Sequence, residues 1–294
     1  MALCLVSVAA CSGSDTGSVP ASADSATETT AVLMPATSAS STSTTVLTTS
    51  PPSSTAPSRD STSSTALPLV MGPRGSLVGR TVVLDPGHNE HNGAHPVEIN
   101  QQVDIITGRK ACDTTGTATN DGYAEARFTT DVAVRVRQQL RDLGATVVDT
   151  RDVSTPWGPC ITERAAIGNR AHADIAISIH ADGGPAAGRG FHIIRPGLVA
   201  GHNDAIIGPS ASFATVLHDT YARETGLPAA TYIGVNGYDT RTDLGGLNLS
   251  TVPKVFIECA NMRNATDAAF VENDASRARI AQAIADAIDQ YLTS

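Results

Sequence analysis

Residues 174–180 read Asp-Ile-Ala-Ile-Ser-Ile-His and residues 81–85 read Thr-Val-Val-Leu-Asp. Runs this short and this apolar fit strands covered on both faces, because a strand with one wet face alternates apolar with polar residues. Such a sheet needs helices on either side, and helical patterns alternate with strand patterns along the chain. Further strands are expected at 145–150, 190–195 and 254–258, and amphipathic helices at 125–143, 161–172, 210–226 and 275–292. The expected fold class is α/β: a single three-layer domain over residues 76–294, with a mostly parallel or mixed central sheet flanked by helices.

Residues 12–75 cannot belong to that core. They are dominated by Ser, Thr, Pro and Ala, contain no aromatic residue and no Ile, and have Arg59 and Arg74 as their only basic residues. A segment so poor in apolar side chains cannot offset the entropy lost on ordering, so a disordered stalk is expected. A flexible chain of this length spans roughly 40–50 Å root-mean-square. Ahead of it, residues 1–11 are read as a remnant of an export signal. The stretch Val8-Ala9-Ala10-Cys11 resembles a bacterial lipobox, which makes Cys11 the candidate for lipidation. The basic residues that open such a leader are missing, so either the true start lies upstream or the resemblance is accidental. The protein is expected in the cell envelope, lipid-anchored to the outer face of the cytoplasmic membrane or otherwise secreted.

Export bears on the cysteines. Cys112 and Cys160 lie in loop-like sequence of the folded part, and an oxidising compartment permits a disulfide that would pin the long loop around Cys112. Cys259 ends an apolar strand and is expected to be a small buried residue.

Four chemistry-bearing residues stand on four separate elements: His88 after Asp-Pro-Gly, Glu125 after Gly-Tyr-Ala, His180 at the end of its strand, and Glu258 after Val-Phe-Ile. Three of them fall at or just after C-terminal strand ends, where open α/β sheets place their ligands. Glu125 opens a helix with the apolar stripe Phe128, Val132, Val136 and Leu140. Its spacing from Phe128 puts it on the buried face, at the positive end of the helix dipole. Taken singly, a histidine after a turn or a glutamate at a helix start is ordinary. Together, two imidazoles and a carboxylate are the ligand set of a catalytic zinc with an open position, and a second carboxylate can act as base.

These motifs resemble the zinc-dependent N-acetylmuramoyl-L-alanine amidases of the Amidase_3 family, especially its small mycobacterial members. The resemblance runs from about Thr81 to the C-terminus. It includes Asn264-Ala-Thr-Asp267, expected to act as turn and helix-capping residues. It implies that His88, Glu125 and His180 hold one Zn2+ ion and that Glu258 is the general base. The implied reaction is hydrolysis of the amide between N-acetylmuramic acid and the L-alanine of a peptidoglycan stem peptide or muropeptide. Substrate contacts are expected from Asp182, Gly183 and Gly184, and from the loop carrying Arg241 and Asn248. The chain departs from the family in having Asn89-Glu90 where many relatives have Gly-Gly, followed by a polar segment to Tyr123 expected to be an extended loop or hairpin near the cleft. Ser178, His180 and Asp182 are too close in sequence to form a good hydrolytic triad.

The net charge of −9 and pI near 5.3 offer no basic surface for nucleic acid. No long apolar run follows the leader, so membrane association would depend on Cys11. His172, His192, His202 and His218 have no partner at metal-ligand spacing. Two alternative readings remain: a zinc amidohydrolase or peptidase acting on another amide, and a catalytically inactive wall-binding regulator on the same fold.

Overall fold

The structure, a computed structural model, describes residues 75–294. The leader, Cys11 and the stalk up to residue 74 lie outside the described residues, as do the expectations made for them. Eight strands are formed: β1 (Thr81–Pro86), β2 (Gln102–Asp104), β3 (Arg109–Ala111), β4 (Thr146–Asp149), β5 (Ile175–Asp182), β6 (His192–Pro196), β7 (Tyr238–Arg241) and β8 (Lys254–Asn261). The α-helices are α1 (Pro96–Ile99), α2 (Glu125–Asp142), α3 (Ile161–Arg170), α4 (Asp204–Thr225), α5 (Gly245–Asn248), α6 (Ala265–Glu272) and α7 (Asp274–Thr293).

Six strands form one sheet in the order β4-β1-β5-β8-β6-β7, while β2 and β3 make a separate antiparallel hairpin. The first four strands of the order run parallel, and β6 is antiparallel to β8. That reversal follows from chain length. A parallel crossover needs about a dozen residues or more, and the 183–191 connection from β5 is too short to provide one. β8 later enters between β5 and β6.

Successive residues of each strand point to opposite faces of the sheet, and the two faces differ. Val82, Leu84, Ile175, Ile177, Ile179, Val255 and Ile257 pack with Phe128 and Val132 of α2, Phe213 and Leu217 of α4, and Ile284 and Ile288 of α7. The opposite face presents Val83, Asp85, Ala176, Ser178, His180, Phe256 and Glu258. Over Val83 it is covered by α3, where Gly168 lies against Val83 and Val252. At the C-terminal ends of β5 and β8 this face is left as the floor of a cleft.

Several boundaries differ from expectation; β8 runs past Glu258 to Asn261 and β6 begins at His192. Helix α4 starts at Asp204, not at 210, and carries Pro209 inside it; proline usually ends a helical pattern because it lacks the N–H for the preceding turn. Here the start is secured upstream, where Asn203 accepts from Val199 N and donates to Gly197 O. Strand β5 continues past His180 to Asp182 through a register shift.

Candidate metal centre

His88 follows β1 in the left-handed region, with φ at 56°, a conformation that costs a non-glycine residue about 1–3 kcal/mol and needs support. Two buried arginines supply it. Arg151 donates from Nε to Pro86 O (3.1 Å) and from Nη2 to Gly87 O (2.9 Å). Arg164 donates to Pro86 O (2.8 Å) and His88 O (2.9 Å). Burial, together with the nearby Arg164 charge, pushes the Arg151 pKa down to about 10, so it stays charged at neutral pH.

The turn also fixes the imidazole. His88 Nδ1 lies 3.1 Å from the Thr114 carbonyl and 3.0 Å from the Thr114 hydroxyl; with the proton on Nδ1, toward the carbonyl, the Nε2 lone pair is free for a metal. Nε2 faces Glu125 Oε2 at 3.1 Å. A contact this close is satisfied either by a proton on Nε2 or by a metal ion taking its place. Glu125 is buried at the start of α2 and also receives Thr117 N on Oε2 (2.9 Å) and Ala181 N on Oε1 (3.2 Å). Burial alone would raise its pKa, but His88 and His180 outweigh it and hold the carboxyl well below its ordinary range. The His88 pKa rises, the Glu125 carboxylate overcoming the opposing effect of burial.

His180 brings Nδ1 to 2.9 Å from Glu125 Oε1. Its ring stacks on Phe256 with centroids 5.2 Å apart and meets His88 edge-on at 5.0 Å. The packing leaves no spare space. A Cβ on Gly87 would lie 2.3 Å from the His180 ring, and one on Gly116 would lie 2.6 Å from His88 and 2.7 Å from Glu125 Oε2. One donor atom from each of His88, Glu125 and His180 lies within 4.8 Å of the others. Three convergent donor groups, two imidazoles and a carboxylate, fit a divalent ion of the zinc type.

Glu258 pairs with His180 across β5 and β8, on the cleft face. Its Oε2 is enclosed and has no hydrogen-bond partner among the described residues. Enclosure first, then the carboxylates of Glu125 and Asp182, raise its pKa well above the usual range, with Arg241 opposing them. The cleft holds two adjoining cavities of about 310 Å³ each, both touching His88, His180, Leu244 and Phe256. One extends over Ile161 and Lys110; the other is walled by Asp182, Gly183, Arg241 and Glu258.

Residues 82–290 match the N-acetylmuramoyl-L-alanine amidase family. The chain belongs to that family. It is 39% identical over 224 residues to an N-acetylmuramoyl-L-alanine amidase of Mycobacterium tuberculosis, covering 74% of this chain and 89% of the relative. The crystal structure of the amidase Ami1 from Mycobacterium smegmatis is 43% identical and superposes with a TM-score of 0.69, covering 74% of this chain and 98% of that one. Ami1 from Mycobacterium abscessus gives 45% identity and a TM-score of 0.68, over 74% of this chain and all of the other. The catalytic domain of CwlV from Paenibacillus polymyxa, at 24% identity and a TM-score of 0.54 over 72% of this chain and 98% of that one, shares the fold.

Within this amidase fold the structure brings His88, Glu125, His180 and Glu258 together and lines the cleft with Asp182, Gly183 and Arg241. Asn248 is placed differently from the expected substrate contact. It is buried, and its Nδ2 donates to Ile105 O (3.0 Å), Thr107 Oγ1 (3.1 Å) and Thr242 O (2.7 Å), tying the turn of the β2–β3 hairpin to the loop before α5. Arg241 is held by both oxygens of Asp243 (2.8 and 2.7 Å). The 89–123 segment contains the expected hairpin, and Cys112 is bonded to Cys160. Asn264 caps α6 by accepting from Thr266 N and Asp267 N.

Sequence reasoning missed the charged frame under the site. Asp85 accepts from Arg164 (3.0 Å), Lys254 (2.8 Å), Thr150 and Ser178, and Arg164 also holds Asp113 (2.9 Å). Ser178 is thereby a structural donor and no nucleophile. Burial would raise the Asp85 pKa, but the Lys254 and Arg164 charges hold it far below its ordinary value.

Proposed function

We propose that this protein is a zinc-dependent hydrolase of the amide between N-acetylmuramic acid and L-alanine in peptidoglycan, with His88, Glu125 and His180 holding the ion and Glu258 as general base. The observation that carries this reading is the convergence of three donor atoms within 4.8 Å beside an unpartnered carboxylate on the neighbouring strand. Zinc bound there would supply Lewis-acid polarisation of the scissile carbonyl and acidify a water.

The side chains do the rest. Glu258 takes a proton from the attacking water and returns it to the departing amine nitrogen, so the same carboxylate serves both halves of the reaction. Its raised pKa suits that cycle, because a base of ordinary carboxylate strength would release the proton too readily to the solvent. His88 keeps its proton on Nδ1 against Thr114, which leaves Nε2 as a ligand throughout. Asp182, Gly183 and Arg241 form the polar wall against which the substrate is oriented, while Phe256 and Leu244 exclude water beneath it. A peptidoglycan substrate supports work in the cell envelope, and in this reading residues 1–11 are an export signal, Cys11 the lipid anchor and the Ser/Thr-rich segment a tether.

The test is mass spectrometry of products from a muramoyl dipeptide incubated with the protein, with zinc, with a chelator, and with Glu258→Ala. Release of the intact dipeptide by the zinc-loaded wild type alone is expected. Cleavage of ordinary peptides without attack on muramoyl peptides would move the reading to another zinc peptidase.

A further inference from the structure

His192 is buried, yet it belongs neither to the charged frame nor to the ligand set. It stands on β6 directly opposite Glu258 of β8, and Glu258 is in turn opposite His180 of β5. The three side chains form one row across the cleft face of the sheet: metal ligand, base, histidine. Directly opposed residues in an antiparallel pair have Cβ atoms about 4.5–5.5 Å apart, which brings an imidazole and a carboxylate within hydrogen-bonding reach.

His192 Nδ1 and Glu258 Oε2 are both enclosed, and neither has a hydrogen-bond partner among the described residues. Buried polar atoms are nearly always paired, so two unpaired ones on facing residues point to a bond they make with each other in the working enzyme. The histidine ring is confined. Tyr232 stands perpendicular to it with centroids 6.3 Å apart, and Tyr232 is itself hemmed in by Gly184 and Gly188, where an added Cβ would lie 2.3 and 2.6 Å from its ring.

We propose that His192 is a positioning residue for Glu258, its imidazole bonding to Oε2 and fixing the carboxylate toward the attacking water and the leaving amine. The proposal rests on the reading of Glu258 as the base. A neutral imidazole suits the task, since one tautomer donates to the ionised carboxylate and the other accepts from the protonated acid. Burial keeps His192 neutral, aided by Arg241 and opposed by Asp182 and Asp239.

His192→Phe keeps a ring and removes the hydrogen bond; His192→Gln restores a donor and an acceptor. With a bond of this kind at stake, kcat of the Phe variant should fall about tenfold or more, with KM and bound zinc unchanged, and the Gln variant should recover most of the loss. A kcat within twofold of wild type, or a rise in KM alone, would overturn the proposal. A second measurement does not depend on turnover or on either His192 variant folding: the 15N resonance of His192 Nδ1 in zinc-loaded protein, wild type against Glu258→Ala. Movement toward the value of an unbonded imidazole is expected, and an unmoved resonance rejects the pairing. Should the wild type fail on muramoyl peptides, the functional reading falls while this resonance still decides whether His192 and Glu258 are joined.

Discussion

Glu258 sits where a carboxylate is least stable ionised, and that has a measurable consequence. Its enclosure and the nearby Glu125 and Asp182 carboxylates raise its pKa above the ordinary 4.5. A raised carboxyl pKa means that the folded state prefers the proton. The resulting stabilisation is full below about pH 4.5 and is lost as pH rises through the folded-state value. Metal-free Glu258→Gln, which has no charge to bury, is therefore expected to melt above metal-free wild type at pH 8 and to converge with it near pH 4; thermal melts with chelator at the two pH values check this. The same variant should retain zinc and lose turnover by about 100-fold or more, the scale of a general base. Stability gained at the expense of activity would mark a site residue held against its own preference. Gly116 tests the ligand shell from the other side. With φ at 76° and no room beside His88 and Glu125, Gly116→Ala should displace both ligands and weaken zinc by about 10–100-fold, in the range seen when ligand orientation is disturbed. Competition with a chelating dye measures it, and an unchanged affinity would show that the loop gives way instead.

The elements that the sequence disclosed best are those whose burial repeats. Strands β1, β5 and β8 are short, largely buried and rich in Val and Ile, and α2 and α7 carry clear stripes, so their positions follow from pattern alone. Strands β2, β3 and β7 are short and partly exposed, with polar side chains that give no period-two signal. The hairpin is held from outside itself: Lys110 donates to Asp243 (2.8 Å), Asn248 ties its turn, and Cys112 at its base is bonded to Cys160 next to α3. Thr114, two residues beyond Cys112, is the group that fixes His88. The disulfide closes a separation of 48 residues, so the Cys112→Ser/Cys160→Ser variant should lose about 2–5 kcal/mol in denaturant unfolding. It should also bind zinc more weakly, because the Thr114 loop is released. Lost stability with unaltered zinc affinity would show that α3 and Asn248 hold that loop unaided.

Across the whole molecule, the least legible feature was the charge inside it. Asp85, Arg164 and Lys254 are far apart in sequence and read singly as solvated groups; only the sheet order, with β1, β5 and β8 adjacent, brings them into one buried network. The four site residues were legible only as a set: His88 after its turn and Glu125 at its helix start are ordinary alone, but two imidazoles and two carboxylates on four elements match a metal-and-base chemistry. The network also bears on what the metal does for the fold. Arg164 and Arg151 hold the His88 turn by backbone hydrogen bonds that involve no metal ligand side chain, so the metal-free protein should stay folded. The proposed ligands come from the end of β1, the start of α2 and the end of β5, and an unfolded chain does not gather them. Zinc should therefore bind the native state alone and stabilise it by mass action, by about 2.7 kcal/mol at a free concentration one hundred times its Kd. A thermal melt that rises with zinc concentration, stays a single transition, and is insensitive to zinc in His180→Ala is the expected outcome. A chelator that unfolds the protein outright would mean that the ion, and not the Asp85 network, holds the C-terminal edge of the sheet together.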